Sequence, residues 1–530
     1  MAEATDTPPR DDREALQAAA TQRLHPLSWL FTLIAQLRAF ALPLIVLLLG
    51  GSRQEGDDIG DLIGLAAAGV LAVVSVWHYF TYRYGFLDTA LVIRSGLLQR
   101  NLRLIPFDRV QNVTLHQNLL HRLVGVAEVR LESAGGMGKA EAQMQVLKLE
   151  QAHALEALMR EGAHRARAAQ AHEGGNSSGD DAPVLWLALP TRELVRLGLI
   201  SNRGMLVVAA GFAYLTQAGD VFTKRLSNGI ESVGREGIAM AEAWHLGPVA
   251  YAGLALGLLL TMVVGVRLLS VALAILQFHD FRLHAGDREL RVERGLLSRV
   301  RSHLPKRRIQ AYSLSETLLH RWFGRQSLRV DRAAVEAVNE GQSVRDLVPL
   351  ATPDGMDGML AALLPPDGWP LHAWQALHPR AWWRVFAPWA VAVLAGTALL
   401  VAFEGPVGLW ALVLIALVYL RARVWARYSA WTLAGGVVAF RHGWLDRHWR
   451  FAEARKLHAL QVTQSPFDRR HGMATLHLDT AGASPMEPPL RIPYLAVADA
   501  EALAARLRAL MPRDEGINHA RTGASAAPAA

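Results

Sequence analysis

The sequence predicts an α+β membrane protein. Six transmembrane helices form three hairpins, and each hairpin is followed by a small β-barrel or sandwich that closes with a helix. Three observations support this architecture: the apolar residues lie in six long runs, β-rich segments follow each pair of runs, and those segments repeat. The 530 residues are 52% hydrophobic and only 19% charged, against about 25% charged in an average soluble chain.

The six apolar runs approach or exceed the roughly 20 residues that a membrane-spanning helix needs. Asn202 and Arg203 interrupt the third run, and the fourth carries Arg267. Buried helices of a large soluble core are the alternative, but residues 251–266 stay uncharged for longer than core helices usually do. The runs lie at about 27–50, 62–80, 197–216, 246–276, 385–403 and 407–420.

Connectors join the runs in pairs, and Arg-rich segments follow each pair. The positive-inside rule then places the connectors outside and the large segments, with both termini, in the cytoplasm. The predicted parts are a polar tail at 1–23, hairpins at 24–82, 189–277 and 377–426, β domains at 83–165, 278–366 and 427–512, a flexible linker at 166–188 and a disordered tail at 513–530.

A repeat joins the β-rich segments. Residues 94–111 align with 293–310, and both copies continue through Leu-Leu-His-Arg-x-x-Gly at a constant offset of 199 residues. A third, more diverged copy begins near Arg427 and departs at Asp468, where the other copies have His121 and His320. Each copy therefore forms one structural unit.

Short alternating runs bounded by turn residues predict the strands of each unit. Gly96, Gly295 and Gly443 follow the first such run in their copies, which suits a hairpin turn that needs positive φ. Helical patterns end the copies at 151–159, 354–364 and 498–510.

The shared motifs Gly-Leu-Leu, Arg-x-Gln and Leu-Leu-His-Arg-x-x-Gly resemble the bacterial pleckstrin-homology-like (PH-like) domains of the bPH2 or DUF304 family. The chain is similar to the multi-span members of that family, the YdbT-like proteins, over about residues 23–512. This resemblance implies PH-like cytoplasmic domains in a multi-pass protein of the bacterial inner membrane. It implies no catalytic residue.

Motifs for chemistry are missing. The sequence has no phosphate-binding Gly-x-x-x-x-Gly-Lys, no His-Glu-x-x-His and no nucleophile elbow. With 0 Cys it has no thiolate metal site and no disulfide. His121 and His320 recur at one repeat position, which favours a structural hydrogen bond over a metal ligand. We therefore predict no enzyme activity, no cofactor and no metal site.

Basic residues concentrate in the repeats and suggest a rim that contacts lipid or a partner. Basic segments beside cytoplasmic span ends are attracted to anionic lipid by about 1 kcal/mol per residue. The recurring positions also have a structural interpretation, in which they hold the β domain together. The candidates are Arg109, Arg122, Arg301, Lys306, Arg307, Arg308, Arg321, Lys456 and Arg469.

The leading functional prediction is a non-enzymatic membrane scaffold that binds proteins. Its predicted partner is a smaller related PH-like membrane protein, with a homo-oligomer as a second option. A sensor of anionic membrane lipid is the alternative, and a transporter component that uses Arg267 is a weaker one. Nucleic acid is not a predicted partner, because the basic residues spread over three units without a reader motif.

Overall fold

The computed structural model describes residues 22–23, 25–34, 69, 73, 76–77, 80–87, 90–95, 101–106, 110–133, 142–155, 183–217, 228, 231–232, 235, 248–332, 345–480 and 490–511. The chain divides into two units, which are described in turn. The first holds residues 1–287 and 291–303, and the second holds 288–290 and 304–530.

The first repeat, in the first unit, is built from two antiparallel sheets. The four-stranded sheet contains β1 (Gln22–Arg23), β2 (Arg83–Phe86), β3 (Ala90–Ser95) and β4 (Asn101–Pro106), in that order. The other sheet includes β5 (Val110–Asn118), β6 (Val126–Ser133) and β7 (Ala142–Lys148), and the short helix α1 (Leu119–Val124) joins β5 to β6. Residues 149–155 are helical, and their Leu155 joins side chains of both sheets in one core.

The sheet that contains β5 continues into the second repeat. Its strand order is β7-β6-β5-β11-β10-β9-β8. The added strands are β8 (Val184–Ala188), β9 (Arg282–Ala285), β10 (Glu289–Arg294) and β11 (Ser298–Pro305).

The apolar helices of the first unit pack closely. They are α2 (Thr191–Ile200), α3 (Arg203–Gln217) and α4 (Pro248–Phe278). A Cβ at Gly198 would lie 2.3 Å from the Cα of Val271, and one at Gly204 would lie 2.4 Å from the carbonyl of Val266. Glycine is therefore required where α2 and α3 meet α4.

The second unit contains a second seven-stranded sheet, in the order β14-β13-β12-β18-β17-β16-β15. Its strands from the second repeat are β12 (Ile309–Glu316), β13 (Gln326–Arg332) and β14 (Asp346–Ala351), and the helices there are α5 (Leu318–Phe323) and α6 (Pro353–Leu363). Its strands from the third repeat are β15 (Gln375–Ala376), β16 (Ala430–Ala434), β17 (Val437–His442) and β18 (Arg447–Glu453).

A three-stranded sheet completes the third repeat. It contains β19 (Leu457–Thr463), β20 (Met473–Thr480) and β21 (Leu490–Ala496), with helices α9 (Pro466–His471) and α10 (Val497–Leu510). Leu503 and Leu507 of α10 are buried in one cluster with Val438 of β17 and Leu476 of β20. The two sheets and the closing helix of this repeat therefore share a core.

Helix α7 (Ala381–Glu404) folds back on α8 (Val413–Tyr428) after a 3₁₀ segment at Gly405–Leu412. The rings of Trp382 and Tyr419 are 5.4 Å apart, and those of Phe386 and Tyr419 are 5.9 Å apart. Such contacts are out of reach along one straight helix, which rises 1.5 Å per residue. This segment therefore folds back on itself.

The α+β architecture is confirmed, whereas the six-span topology stays a prediction. In the described residues, Ala255–Phe278 and Ala381–Tyr428 are long and apolar enough to cross a membrane, and α2 with α3 could form a third span bent by 52°. The bend falls at the predicted interruption by Asn202 and Arg203. Most of the first two apolar runs lies outside the described residues.

The predicted glycine turns have positive φ where the structure describes them. Gly295 has φ +113° and Gly443 has φ +95°, while Gly96 lies outside the described residues. A Cβ at Gly295 would meet the carbonyl oxygen of Ser298 at 1.9 Å, and one at Gly443 would meet that of Asp446 at 1.8 Å. Both conformation and space thus exclude other residues from these turns.

Candidate functional site

Consecutive repeats are joined by strand pairing, and each unit contains one such junction. In the first unit β5 pairs antiparallel with β11, with His116 opposite Val300 and Leu115 opposite Arg301. In the second unit β12 pairs antiparallel with β18. Thus the fifth strand of one repeat hydrogen-bonds to the fourth strand of the next.

The two junctions have the same register. Equivalent residues are offset by 199 between the first two repeats and by 148 between the last two. Ser315, the equivalent of His116, lies opposite His448, the equivalent of Val300. Register is set by the residue pattern of a strand, so its repetition marks a specific interface.

Side chains reinforce each junction. In the first unit Ser298 Oγ lies 2.6 Å from His116 Nε2. In the second unit Ser315 Oγ lies 3.1 Å from His448 Nδ1, and the stacked rings of Tyr312 and Phe451 are 5.3 Å apart. Burial lowers the pKa of His116 and His448, so these imidazoles are neutral hydrogen-bonding groups at pH 7.

The arginine of the Leu-Leu-His-Arg motif reaches the next repeat. Arg122 Nη1 donates to the carbonyl of Leu296 at 3.1 Å, and Arg321 Nη1 donates to the carbonyl of Trp444 at 3.2 Å. Leu296 and Trp444 are themselves equivalent, one residue after Gly295 and Gly443. Lys456 adds a 2.7 Å hydrogen bond from Nζ to the carbonyl of Ile309.

In the second repeat the motif histidine, His320, caps the short helix that carries Arg321. Thr317 donates its backbone N–H to His320 Nδ1 at 3.3 Å, and Thr317 Oγ1 accepts from the backbone N–H of His320. This reciprocal arrangement is a capping box, and it needs Nδ1 unprotonated. Burial lowers the pKa of His320 to about 4, which keeps the acceptor available.

Asp468 performs the same task in the third repeat. Ser465 donates its backbone N–H to Asp468 Oδ2 at 3.1 Å, and Arg384 Nε donates to Oδ1 at 2.7 Å. Burial raises the pKa of Asp468, but the hydrogen bonds from Ser465 and Arg384 outweigh it, and the net shift is downward. The departure of the third copy from histidine therefore preserves the cap and adds an ion pair to α7.

The predicted rim residues lie in different local settings. Arg122, Arg321 and Lys456 bind carbonyls of a neighbouring repeat, and Arg301 Nε lies 2.9 Å from Glu293. Lys306, Arg307 and Arg308 form a 3₁₀ turn between β11 and β12. Arg307 and Arg469 are exposed, and Arg109 lies outside the described residues.

The motif helices also expose apolar side chains. Leu123 is 84% exposed and Trp322 is 81% exposed. The turns contacted by Arg122 and Arg321 adjoin the apolar helices of their own units: Leu296 N donates to the carbonyl of Leu276 at 3.0 Å, and the rings of Trp444 and Tyr428 are 6.4 Å apart. In each unit, apolar and basic groups therefore lie near the end of an apolar helix, α4 in the first unit and α8 in the second.

Arg267 has a structural partner set. Its Nη1 donates to the carbonyls of Leu199 and Ser201 at 3.1 and 3.4 Å, and to Asn202 Oδ1 at 3.2 Å. These groups lie at the break between α2 and α3, where helix-end carbonyls lack intrahelical donors. Arg267 thereby supplies hydrogen bonds to the carbonyls at the interruption that the sequence predicts in the third apolar run.

The sequence predicted the recurring arginines but missed their partners. The partner carbonyls lie 174 residues from Arg122 and 123 residues from Arg321, in the following repeat. The repeat itself was the usable signal. Arg122 and Arg321 occupy equivalent positions, and so do their partners Leu296 and Trp444.

Comparison with known proteins agrees with the repeats. The family described as bacterial PH domain matches residues 30–163, 237–353 and 389–511, which together cover more than half of the chain. The UPF0699 transmembrane protein YdbT of Bacillus subtilis (strain 168) is 22% identical over 493 residues, covering 88% of this chain and 94% of that protein. No solved structure matches. The resemblance predicted from the motifs is confirmed, and this membrane protein belongs to the bacterial PH domain family.

Proposed function

We propose that this protein is a non-enzymatic scaffold of the bacterial inner membrane whose PH-like repeats bind proteins by strand pairing. The observation that supports this proposal is the repeated junction. In both units the fifth strand of one repeat pairs with the fourth strand of the next, in the same register. Strand addition supplies affinity through main-chain hydrogen bonds and specificity through alternate side chains. A repeat that joins its neighbours in this way has the means to join a separate protein.

Two strands, β4 in the first repeat and β19 in the third, could receive such a partner. In the described residues β4 pairs with β3 alone, and β19 pairs with β20 alone. Exposed strand edges are templates for pairing unless they are blocked by bulges, prolines or charges. Residues 458–463 of β19 contain neither proline nor acidic or basic groups apart from His458. The predicted smaller PH-like membrane protein is a partner of suitable chemistry.

The scaffold is tested by extracting the tagged full chain in mild detergent and identifying the proteins that remain bound. Val462→Asp places a charge on the β19 edge, and Leu510→Asp makes the same change on α10 at a similar exposure, 47% against 42%. We expect Val462→Asp to lose a bound protein that wild type and Leu510→Asp retain. Equal retention by all three would reject strand pairing as the binding mode.

Anionic lipid is a second candidate ligand, supported by the exposed Leu123 and Trp322 beside Arg122 and Arg321. Apolar side chains can enter the lipid interface while arginines attract anionic headgroups. The middle repeat shares a sheet with each neighbour, so the test uses the full chain in nanodiscs. Enrichment of anionic lipid that falls in Arg307→Ala/Arg308→Ala and at high salt would support this candidate, and enrichment insensitive to both would reject it.

We also propose the topology of the sequence prediction, with three hairpins and cytoplasmic PH-like domains and termini. The Arg-rich segments after the apolar runs support it through the positive-inside rule. Cytoplasm-active and periplasm-active reporters fused at each terminus test it. Activity of a periplasmic reporter at either end would overturn it. The structure adds no support for transport through Arg267, since its Nη1 donates to the break between α2 and α3.

A further inference from the structure

We propose that β19 of one chain pairs with β4 of a second copy, in the register of the two internal junctions. This inference rests on the proposed scaffold function and names its partner. Strand β19 occupies the repeat position of β5 and β12, and β4 occupies that of β11 and β18. The chain thus carries one edge of each kind, β4 in its first repeat and β19 in its third.

The register follows from the offsets. Ser315 lies opposite His448 in the second unit. The equivalents of these two residues are Thr463 in β19 and Asn101 in β4. By the same shift, Leu460 would face Leu104, at the position where Tyr312 faces Phe451.

Exposure distinguishes β4 and β19 from the strands that are joined at the two junctions. Val462 is 42% exposed, whereas its equivalents Leu115 and Leu314 are 5% and 3% exposed. Leu104 is 47% exposed, whereas its equivalent Phe451 is fully buried. The apolar side chains that internal junctions cover are therefore present on both remaining edges and uncovered in the described structure.

The motif arginine gives an independent observation. Arg122 and Arg321 each donate to a carbonyl in the turn between the third and fourth strands of the following repeat. Arg469 occupies the same place in α9, is exposed, and has no side-chain hydrogen bond or ion pair in the described part of the chain. A second copy whose β4 pairs with β19 would supply an acceptor for the Arg469 side chain.

The contact joins two different edges, so it is heterologous. Heterologous contacts form rings when the rotation closes and open chains when it does not. Each copy would therefore use β19 toward one neighbour and β4 toward another, and a self-complementary dimer through one patch is not expected. This distinction sets the design of the test.

The test uses paired cysteines, because the natural chain has 0 Cys. Two differently tagged full chains, one with Thr463→Cys and one with Asn101→Cys, are co-expressed and treated in membranes with a short bismaleimide. Ser315→Cys/His448→Cys in one chain is the matched internal control, since it occupies the same register position. Thr463→Cys mixed with Glu501→Cys, on the exposed face of α10, is the negative control.

We expect a doubled-mass product containing both tags at a yield comparable with closure of the internal pair. A chain carrying both cysteines should give a ladder or a closed ring. Adding Val462→Asp should lower the yield at least about tenfold, since tenfold is about 1.4 kcal/mol and burying an unpaired carboxylate costs more. A yield no higher than that of the Glu501→Cys mixture overturns the inference.

A photo-crosslinking residue at Val462 separates this inference from the proposed function. An adduct with a peptide spanning Asn101–Pro106 of a second copy supports the inference. An adduct with a different protein overturns the second copy as partner and leaves the scaffold function standing. Absence of any protein adduct, with the internal cysteine pair closing normally, rejects both.

Discussion

Strands β12 and β19 occupy the same position in successive repeats, and they differ in what covers them. In β12 the side chains Tyr312 and Leu314 are 1% and 3% exposed, because β18 lies alongside. In β19 Val462 is 42% exposed, and in the described residues that strand pairs only with β20. The difference shows that this strand position is buried when a second repeat pairs with it and partly exposed when none does.

The largest difference between β12 and β19 is expected when a buried side chain at the junction is removed. Leu314→Ala should lower the free energy of unfolding by about 2–5 kcal/mol, as large-to-small changes in a core do. Its equivalent Val462→Ala should cost under about 1 kcal/mol, since nearly half of that side chain is already in water. Thermal denaturation of the two variants in the same detergent checks the ratio.

Similar losses in both variants would mean that β19 is covered in the purified protein. In that case the measurement should be repeated at several protein concentrations. A loss at Val462 that disappears on dilution would identify the cover as another molecule.

Two glycines with positive φ, Gly443 and Gly472, differ in how much space surrounds them. Gly443→Ala, in the turn that leads into β18, should destabilise the protein by about 1–3 kcal/mol, because φ is +95° and the new Cβ would meet the Asp446 carbonyl. Gly472→Ala, at the end of α9, should cost about 1 kcal/mol, since φ is +67° but no atom lies within 4 Å. Comparable midpoints for both variants would contradict the steric argument.

Local features of the fold were predictable from the sequence, and its connections were not. The turns at Gly295 and Gly443 could be predicted because a positive φ depends on one residue and its neighbours. The role of His320 was predictable because its capping partner Thr317 lies three residues away. Each of these features depends on residues adjacent in sequence.

The pairing of β12 with β18 could not be predicted because its partners are more than 100 residues apart and satisfy no local pattern. The sequence shows that an apolar strand such as β12 needs cover, but any apolar edge could provide it. The basic rim illustrates the same limit. Arg321 was predicted either as a rim residue for lipid or a partner or as a residue that holds the β domain together. The structure shows its Nη1 donating to the carbonyl of Trp444 in the following repeat, a partner that neither interpretation named.

The motif arginines test the junction with a smaller expected effect. Arg321→Ala should cost about 1–2 kcal/mol, because a charge-assisted hydrogen bond to the Trp444 carbonyl is lost at a partly exposed position. Arg469→Ala should leave the stability of the isolated chain within about 0.5 kcal/mol. If Arg469→Ala were the more damaging change in dilute detergent, the equivalence of the two arginines would fail.

The last effect, from the caps, appears only as the pH is lowered. The folded pKa of His320 is about 4, below its usual value of 6.5, so the unfolded chain binds a proton between these values that the folded chain refuses. Stability conferred by this cap is therefore complete above pH 6.5 and declines as pH falls toward 4. His442, with a folded pKa of about 4, and His448 act in the same direction, so His320 supplies only part of the acid sensitivity.

His320→Asn keeps a side-chain acceptor for the Thr317 N–H and cannot take up the proton. We expect the variant to match wild type near pH 7.5 and to lose less of its denaturation midpoint between pH 6.5 and 4.5. Asp468→Asn is the matched change in the third repeat. Its parent carboxyl titrates below its ordinary 3.8, so this change should lower the midpoint by the lost Arg384 ion pair without altering the slope above pH 4.5. An unchanged slope in His320→Asn would show that the proton is taken up elsewhere, and that the two caps are equivalent in acid as well as in geometry.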